Sequence, residues 1–351
     1  MRAKGLLVLL VLAVGATVLW LRPWGAADGD RCRTIVLITV DTLRFDRLGC
    51  HAPPGQERAA SLTPRMDGLA GQGVIFENAR SPIPLTLPGH TTMLSGLPPA
   101  VTGVRLNAHG KIPPGETLRG YPLLAQRLRK AGYRTGAFVS ASPLSAHYGL
   151  DQGFERYDDG GLGDQTGLAY AERRGDETVA AALAWLDRIG KEDRVFLWVH
   201  LFEPHAPYAP EAPPGTPLET RYDIDVHRAD QIVGLLLQGL DARERDDAAV
   251  LLTSDHGEAL DELGERTHGL LLGDAVLRVP LILRAPGLEP GRRADPADVS
   301  DVAPTLAALA GIAWPRQEGP GGGLDLISQS APSRLRVAES LYAHQLHGWA
   351  Q

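Results

Sequence analysis

Apolar positions along the chain fall into two alternating patterns. Near-continuous apolar and β-branched runs occur at 33–40 (RTIVLITV), 134–141 (RTGAFVSA), 194–202 (RVFLWVHLF), 248–253 (AAVLLT) and 278–287 (RVPLILRAPG). Runs of this kind predict strands buried on both faces of a parallel sheet. VIFENA, from Val74, predicts a shorter strand, and LRVAESLY, from Leu335, a final one. Between them lie stretches with helical spacing. One starts at Thr63 and Pro64, one carries Leu123, Leu124 and Leu128, and others cover 177–190, about Ile224 to Leu240, and 301–311. Strand and helix alternate, which predicts an α/β fold with a doubly wound, mostly parallel central sheet flanked by helices. Residues 147–175, rich in Gly and Asp, read as surface loop.

The first residues break this pattern. Arg2 and Lys4 precede an uncharged run from Gly5 to Leu21, followed by Arg22 and the small residues Gly25, Ala26 and Ala27. This predicts a signal peptide or membrane anchor over 1–27, contact with a membrane through that segment, and an extracytoplasmic folded domain over 33–345. The 351 residues carry a net charge of −7 and no long basic run, which gives no support to nucleic-acid binding. Cys32 and Cys50 flank the first strand and are candidates to pair in an oxidising compartment, although sequence alone does not set their separation.

Candidate chemistry gathers where strands end. Asp41 follows the first strand, Asp255 and His256 follow the 248–253 run, and Glu203 and His205 follow the 194–202 run. Ligand sites in open α/β sheets form beyond the carboxyl ends of strands. Asp41, Asp255 and His256 are ligand types for a divalent cation such as Mg, Ca, Mn or Zn, with His205 and His268 as further candidates. In TLPGHTTMLSGLPPAVTGVRLN, residues 86–107, Thr86 sits where a helix begins. Its hydroxyl there would meet unpaired backbone N–H groups and the positive end of the helix dipole. Taken singly, Thr86 also fits a helix N-cap, Asp41 a turn residue and Asn107 a loop residue. Taken together they suggest a Thr86 nucleophile activated by a metal, with the Thr86 N–H and Asn107 facing the developing charge. His268 is a candidate acid or second-metal ligand; His90 reads as a packing residue.

The segments VDTLRFDRLGC, TLPGHTTMLSG, GYRTGAFVS, LLTSDHGE, HGLLLGDAVLRVPLI and VSDVAPTLAALAG, in this order, resemble the sulfatase-like branch of the alkaline phosphatase superfamily. The resemblance implies a metal-dependent ester hydrolase. Sulfatases of this type carry a Cys or Ser that becomes formylglycine; Thr86 stands at that position and His90 at the following Arg. Thr42 replaces a second Asp, and VSASPL replaces a stretch that supplies a substrate-binding Lys and His. The Thr86, Pro88, His90, Gly96, Leu97, Asn107 series is similar to the nucleotide pyrophosphatase/phosphodiesterases, which use threonine as nucleophile. That likeness implies one complete metal site at Asp41, Thr86, Asp255 and His256, and part of a second at His205 and His268. The small C-terminal subdomain common among sulfatases is not evident. The expected function is hydrolysis of phosphate mono- or diesters through a Thr86 ester. Sulfate ester hydrolysis without formylglycine and an inactive tethered binding module are the alternatives. The expected substrate is a small-molecule, glycan or lipid ester.

Overall fold

The computed structural model describes residues 32–52, 62–107, 122–162, 172–315, 321–328 and 333–348. Eight strands form one sheet: β1 (Thr34–Val40), β2 (Val74–Arg80), β3 (Arg134–Phe138), β4 (Arg156–Asp158), β5 (Val195–Leu201), β6 (Ala249–Thr253), β7 (Leu281–Arg284) and β8 (Gly291–Asp298). Their order is β4-β3-β5-β1-β6-β7-β2-β8. Neighbours are parallel except where β7 runs antiparallel to both β6 and β2. The strands inferred from apolar runs are the inner members of this sheet.

Alternation along the inner strands builds a core on each face. Ile35 and Leu37, Phe196 and Trp198, and Ala249 and Leu251 pack against the helices Thr86–Ser95, Leu124–Lys130 and Val302–Leu309. Val36, Ile38, Leu197, Val199, Val250 and Leu252 face the helices Pro64–Gly71, Gly175–Leu186 and Leu218–Asp241. Each fully buried aliphatic side chain contributes about 1.5–3 kcal/mol through loss of water contact. β1 lies in the centre, paired with β5 from Thr34↔Val195 to Val40↔Leu201 and with β6 from Ile35↔Ala249 to Thr39↔Thr253. This register ends three strands at one edge, so the residues following them emerge side by side.

Several expectations are corrected. β4 lies inside the stretch read as loop, and β8 was not anticipated. Both are short of apolar residues, and each borders the sheet with one neighbour, where burial on both faces is not required. The segment from Leu335 forms no strand. Its alternation is inverted: Leu335 and Val337 are exposed. Arg334 reaches inward to the buried Asp301, and Arg336 to the carbonyls of Asn78 and Ala297. The helix expected from Ile224 begins at Leu218, directly after Pro217. Cys32 and Cys50 are both free thiols, one before β1 and one in the turn Gly49–His51 beyond its other end. The apolar run at 5–21 lies outside the described residues; among those described, no helix is long and apolar enough to cross a membrane.

Leu37, at the middle of β1 and fully buried, tests the central packing. Leu37→Ala is expected to lower unfolding stability by about 2–5 kcal/mol in urea titrations, with the slope of the transition unchanged.

Candidate active site

Three chain segments meet where β1 and β6 end. Asp41 follows β1, and its N–H donates to the Leu201 carbonyl at 2.9 Å, which carries the sheet ladder one residue further. Thr42 then adopts a left-handed backbone, φ 56°, an arrangement that costs a β-branched residue about 1–2 kcal/mol. It is stabilised by the Tyr222 hydroxyl, which donates to the Thr42 carbonyl at 2.7 Å. The turn also fastens the first motif to the loop after β6. Thr42 N–H faces Asp255 Oδ1 at 3.4 Å, Leu43 N–H donates to Ser254 Oγ at 3.0 Å, and the buried Arg44 donates to the Glu258 carbonyl at 2.9 Å.

Asp41, Asp255 and His256 are thereby brought together. Each offers a ligand atom, all within 4.8 Å of one another, and among the described residues no other set of three His, Cys, Asp or Glu does so. His256 Nδ1 lies 2.9 Å from the Gly257 carbonyl, which can only accept, so the ring proton belongs on Nδ1. Nε2 is left as a bare lone pair, 3.3 Å from Asp255 Oδ2 and 3.8 Å from Asp41 Oδ1. Both Asp41 oxygens, Asp255 Oδ2 and His256 Nε2 are buried without a hydrogen-bond donor. Acceptors facing acceptors in a buried space fit a cation. These residues therefore suit a divalent metal with mixed oxygen and nitrogen ligands.

Thr86 is the first residue of its helix, and the extended Leu85 before it is the N-cap. The Thr86 hydroxyl is therefore not a capping group. It lines a cavity of about 130 Å³ together with Asp41, Asn107, His205 and His268. Leu87 N–H donates to Asn107 Oδ1 at 2.9 Å. That bond orients the Asn107 amide and leaves its N–H groups as the part available to a bound anion. His90, one turn on, donates from Nδ1 to the Thr86 carbonyl at 2.8 Å and has Nε2 3.1 Å from Thr39 Oγ1, locking the first turn against β1. A side chain on Gly89 would stand 3.1 Å from Asp255, tighter than ordinary packing, so glycine eases this close approach of the helix.

The sulfatase family model matches residues 33–312, most of the chain and all of these segments. The chain belongs to the sulfatase family. This family of hydrolases also includes relatives similar in sequence. N-acetylgalactosamine-6-sulfatase of Homo sapiens is 27% identical, over 93% of this chain and 73% of that protein. The ulvan-active sulfatase of Formosa agariphila is 26% identical, over 80% of this chain and 62% of that protein. The phosphonate monoester hydrolase of Agrobacterium radiobacter shares the fold at a TM-score of 0.59 and 20% identity, covering 80% of this chain and 74% of that one. The mixed, mostly parallel sheet is thus the sulfatase and alkaline phosphatase type.

Around the metal candidates, this sulfatase-family site holds groups that motif reading passed over. His200, the one ring-bearing polar residue inside β5, has Nε2 3.6 Å from Asp41 Oδ2. The Ser140 N–H faces its Nδ1 at 3.4 Å, which places the proton on Nε2, toward Asp41. Glu258 is buried between Tyr208, whose hydroxyl donates to Oε2 at 2.7 Å, and His268, whose Nδ1 lies 3.2 Å from Oε1. His268 packs near His256 and His205, with ring centroids 4.3 and 5.2 Å away. The signal for Glu258 was its place in TSDHGE; for His200 it was an imidazole at the end of an otherwise apolar run.

Burial dominates the electrostatics. It pushes the Asp255 carboxyl up to about 7, with the neighbouring Asp41 raising it further against the pull of His90 and His200. Asp41 is raised by burial too, with His205 and His256 opposing. Burial holds His256 and His268 down to about 4, so both rings are neutral near pH 7. A carboxyl raised above its unfolded value favours the folded state fully below about pH 4. That contribution is lost as pH rises through about 7.

A divalent cation that needs both carboxylates ionised should therefore raise the melting temperature strongly at pH 8 and weakly at pH 5. The gain at saturation, about 2.7 kcal/mol at a hundredfold excess over the dissociation constant, is read by calorimetry with and without chelator. Gly89→Ala, which crowds Asp255, is expected to weaken the metal-dependent shift about tenfold in apparent affinity.

Proposed function

We propose that this sulfatase-family chain hydrolyses phosphate esters with Thr86 as the nucleophile. The observation that carries the reading is the Thr86 hydroxyl at a helix start, in one cavity with Asp41, Asn107 and His268. Threonine bears a methyl group on its β-carbon, so formylglycine cannot form at this position, and the hydroxyl itself must attack. A metal held by Asp41, Asp255 and His256 supplies the positive charge that favours an ionised hydroxyl and an anionic ester.

The chain's own groups divide the remaining work. The Thr86 N–H and the Asn107 amide bind the non-bridging oxygens and gain strength as charge builds on them. Thr86 Oγ bonds to phosphorus as the bond to the leaving alcohol breaks. His268 donates its Nδ1 proton to Glu258, which leaves Nε2 to take a proton from the attacking hydroxyl or the later water, in the manner of a carboxylate-oriented imidazole. The proton taken from Thr86 passes from His268 to the leaving alcohol; in the second half water attacks phosphorus and gives its proton to Nε2, and the bond to Thr86 Oγ breaks, the proton returning to Thr86. His205 borders the same cavity; its Nδ1 proton goes to the Ala206 carbonyl, which leaves Nε2 as a lone pair suited to a cation and not to the ester oxygens. The basic and apolar residues 1–27 support work outside the cytoplasm at a membrane or after export.

Sulfate ester hydrolysis on the same residues is the second reading, favoured by the names of the sequence relatives. Parallel assays with aryl phosphate, phosphonate and sulfate esters rank the two; dominant sulfate turnover reverses the order. Thr86→Ala is expected to lose a thousandfold or more in kcat, on the order of other nucleophile removals. Asn107→Ala should lose about a hundredfold. Acid-quenched wild-type protein should carry the acid group on Thr86 by mass spectrometry, and undiminished turnover by Thr86→Ala would reject the nucleophile.

A further inference from the structure

The segment 333–348 lies beyond the family match, which ends at 312, yet it reaches the catalytic cavity. Its path is held at several points. Arg334 pairs with Asp301 at 2.7 Å, and Arg336 donates to the Asn78 carbonyl at 2.7 Å. Glu339 N–H donates to the Pro82 carbonyl at 2.9 Å, and its carboxylate accepts from Arg105 Nε at 2.9 Å. Ser340 Oγ donates to the Gly269 carbonyl. Pro82 leads to Thr86, Arg105 lies two residues before Asn107, and Gly269 follows His268. One strap therefore ties together the three loops that bring the nucleophile, the amide and the imidazole to the cavity.

Tyr342 is the residue that this strap delivers. Its ring packs with Ile83, Leu85 and Leu106, and a methyl group built on Gly269 would stand 3.5 Å from it. Tyr342 lines the cavity beside Leu85 and Pro143, opposite in character to the polar groups already described. The cavity, about 130 Å³, is well below the size that encloses a whole organic ligand. It has room for the tetrahedral acid group, so the alcohol part of an ester must lie at its apolar wall.

We infer that Tyr342, held by the 333–342 strap, is a specificity-determining residue that reads the alcohol portion of the ester and favours a ring-bearing alcohol over a small alkyl one. The inference rests on the ester-hydrolase reading above. A flat aromatic face offers large contact area to another ring at little entropic cost, and such contacts are worth about a tenfold preference. Loosening the strap away from the cavity lowers the same preference, because the ring then loses its fixed position.

The test compares phenyl and ethyl esters of the acid that wild-type protein hydrolyses. The phenyl-over-ethyl ratio of kcat/KM is measured on one sample, so any unfolded fraction cancels. Tyr342→Leu is expected to lower this ratio about tenfold, chiefly through KM for the phenyl ester. Tyr342→Phe should keep it, and Glu339→Gln should lower it less than Tyr342→Leu does. An unchanged ratio in Tyr342→Leu, with turnover still dependent on Thr86, overturns the role of Tyr342 alone. Wild-type protein that hydrolyses neither ester overturns the functional reading and with it this inference.

Discussion

Two carboxylates buried beside each other are the constraint around which the site is arranged. Asp41 and Asp255 are almost without solvent contact, and His256 Nε2, 3.3 Å from Asp255, presents a lone pair to them instead of a proton. Ionised like charges in a water-poor space repel strongly, and desolvation adds several kcal/mol per ion. A folded protein can carry such a cluster if it gains a counter-charge or keeps a proton. The raised Asp255 carboxyl is the second solution; a bound cation is the first. Proton and metal thus compete for the same atoms, and the arrangement is built to be completed.

Holding that cluster requires rigidity, which the sheet supplies. β1 is flanked by two parallel partners in matched register, so Asp41 and the loop after β6 emerge at a common edge without any flexible span. The left-handed Thr42, the Ser254 hydroxyl and the buried Arg44 then lock one loop onto the other. Gly89 lets the Thr86 helix approach Asp255 within ordinary contact distance. Each of these features costs some conformational freedom or strain. Their shared effect is that Thr86 and the side chains of Asp41, Asp255 and His256 cannot drift apart independently.

Much of this was legible in the residues because the central strands are apolar on both faces. Asp41 and Asp255 stand out as the first charges after such runs, and the position of a residue after a parallel strand determines which edge it reaches. The edge strands were not legible: β8, GRRADPAD, has no apolar alternation, since a border strand needs one ladder and little burial. Leu335 and Val337 suggested a strand, but the inward-facing members of that alternation are arginines held by carboxylate and carbonyl partners. His200 and Glu258 became visible as parts of the site only in three dimensions. Asp41, the partner of His200, comes from another strand, and His268 meets Glu258 across an irregular loop, so no local period encodes either pairing.

The reversed strand β7 has its own outcome. β6 runs toward the edge that bears the candidate site and β7 starts back from it, so the whole stretch from Ser254 to Pro280 stays at one end of the sheet. A parallel successor would have forced this stretch to cross to the opposite end and return. Released from that journey, it carries Asp255, His256, Glu258 and His268 in a single excursion, with Leu263 and Leu270–Leu272 on its outer surface. Length can be added or removed at that outer surface without rethreading the sheet, so the excursion can vary while the buried Asp41, Asp255 and His256 group at its base stays unaltered.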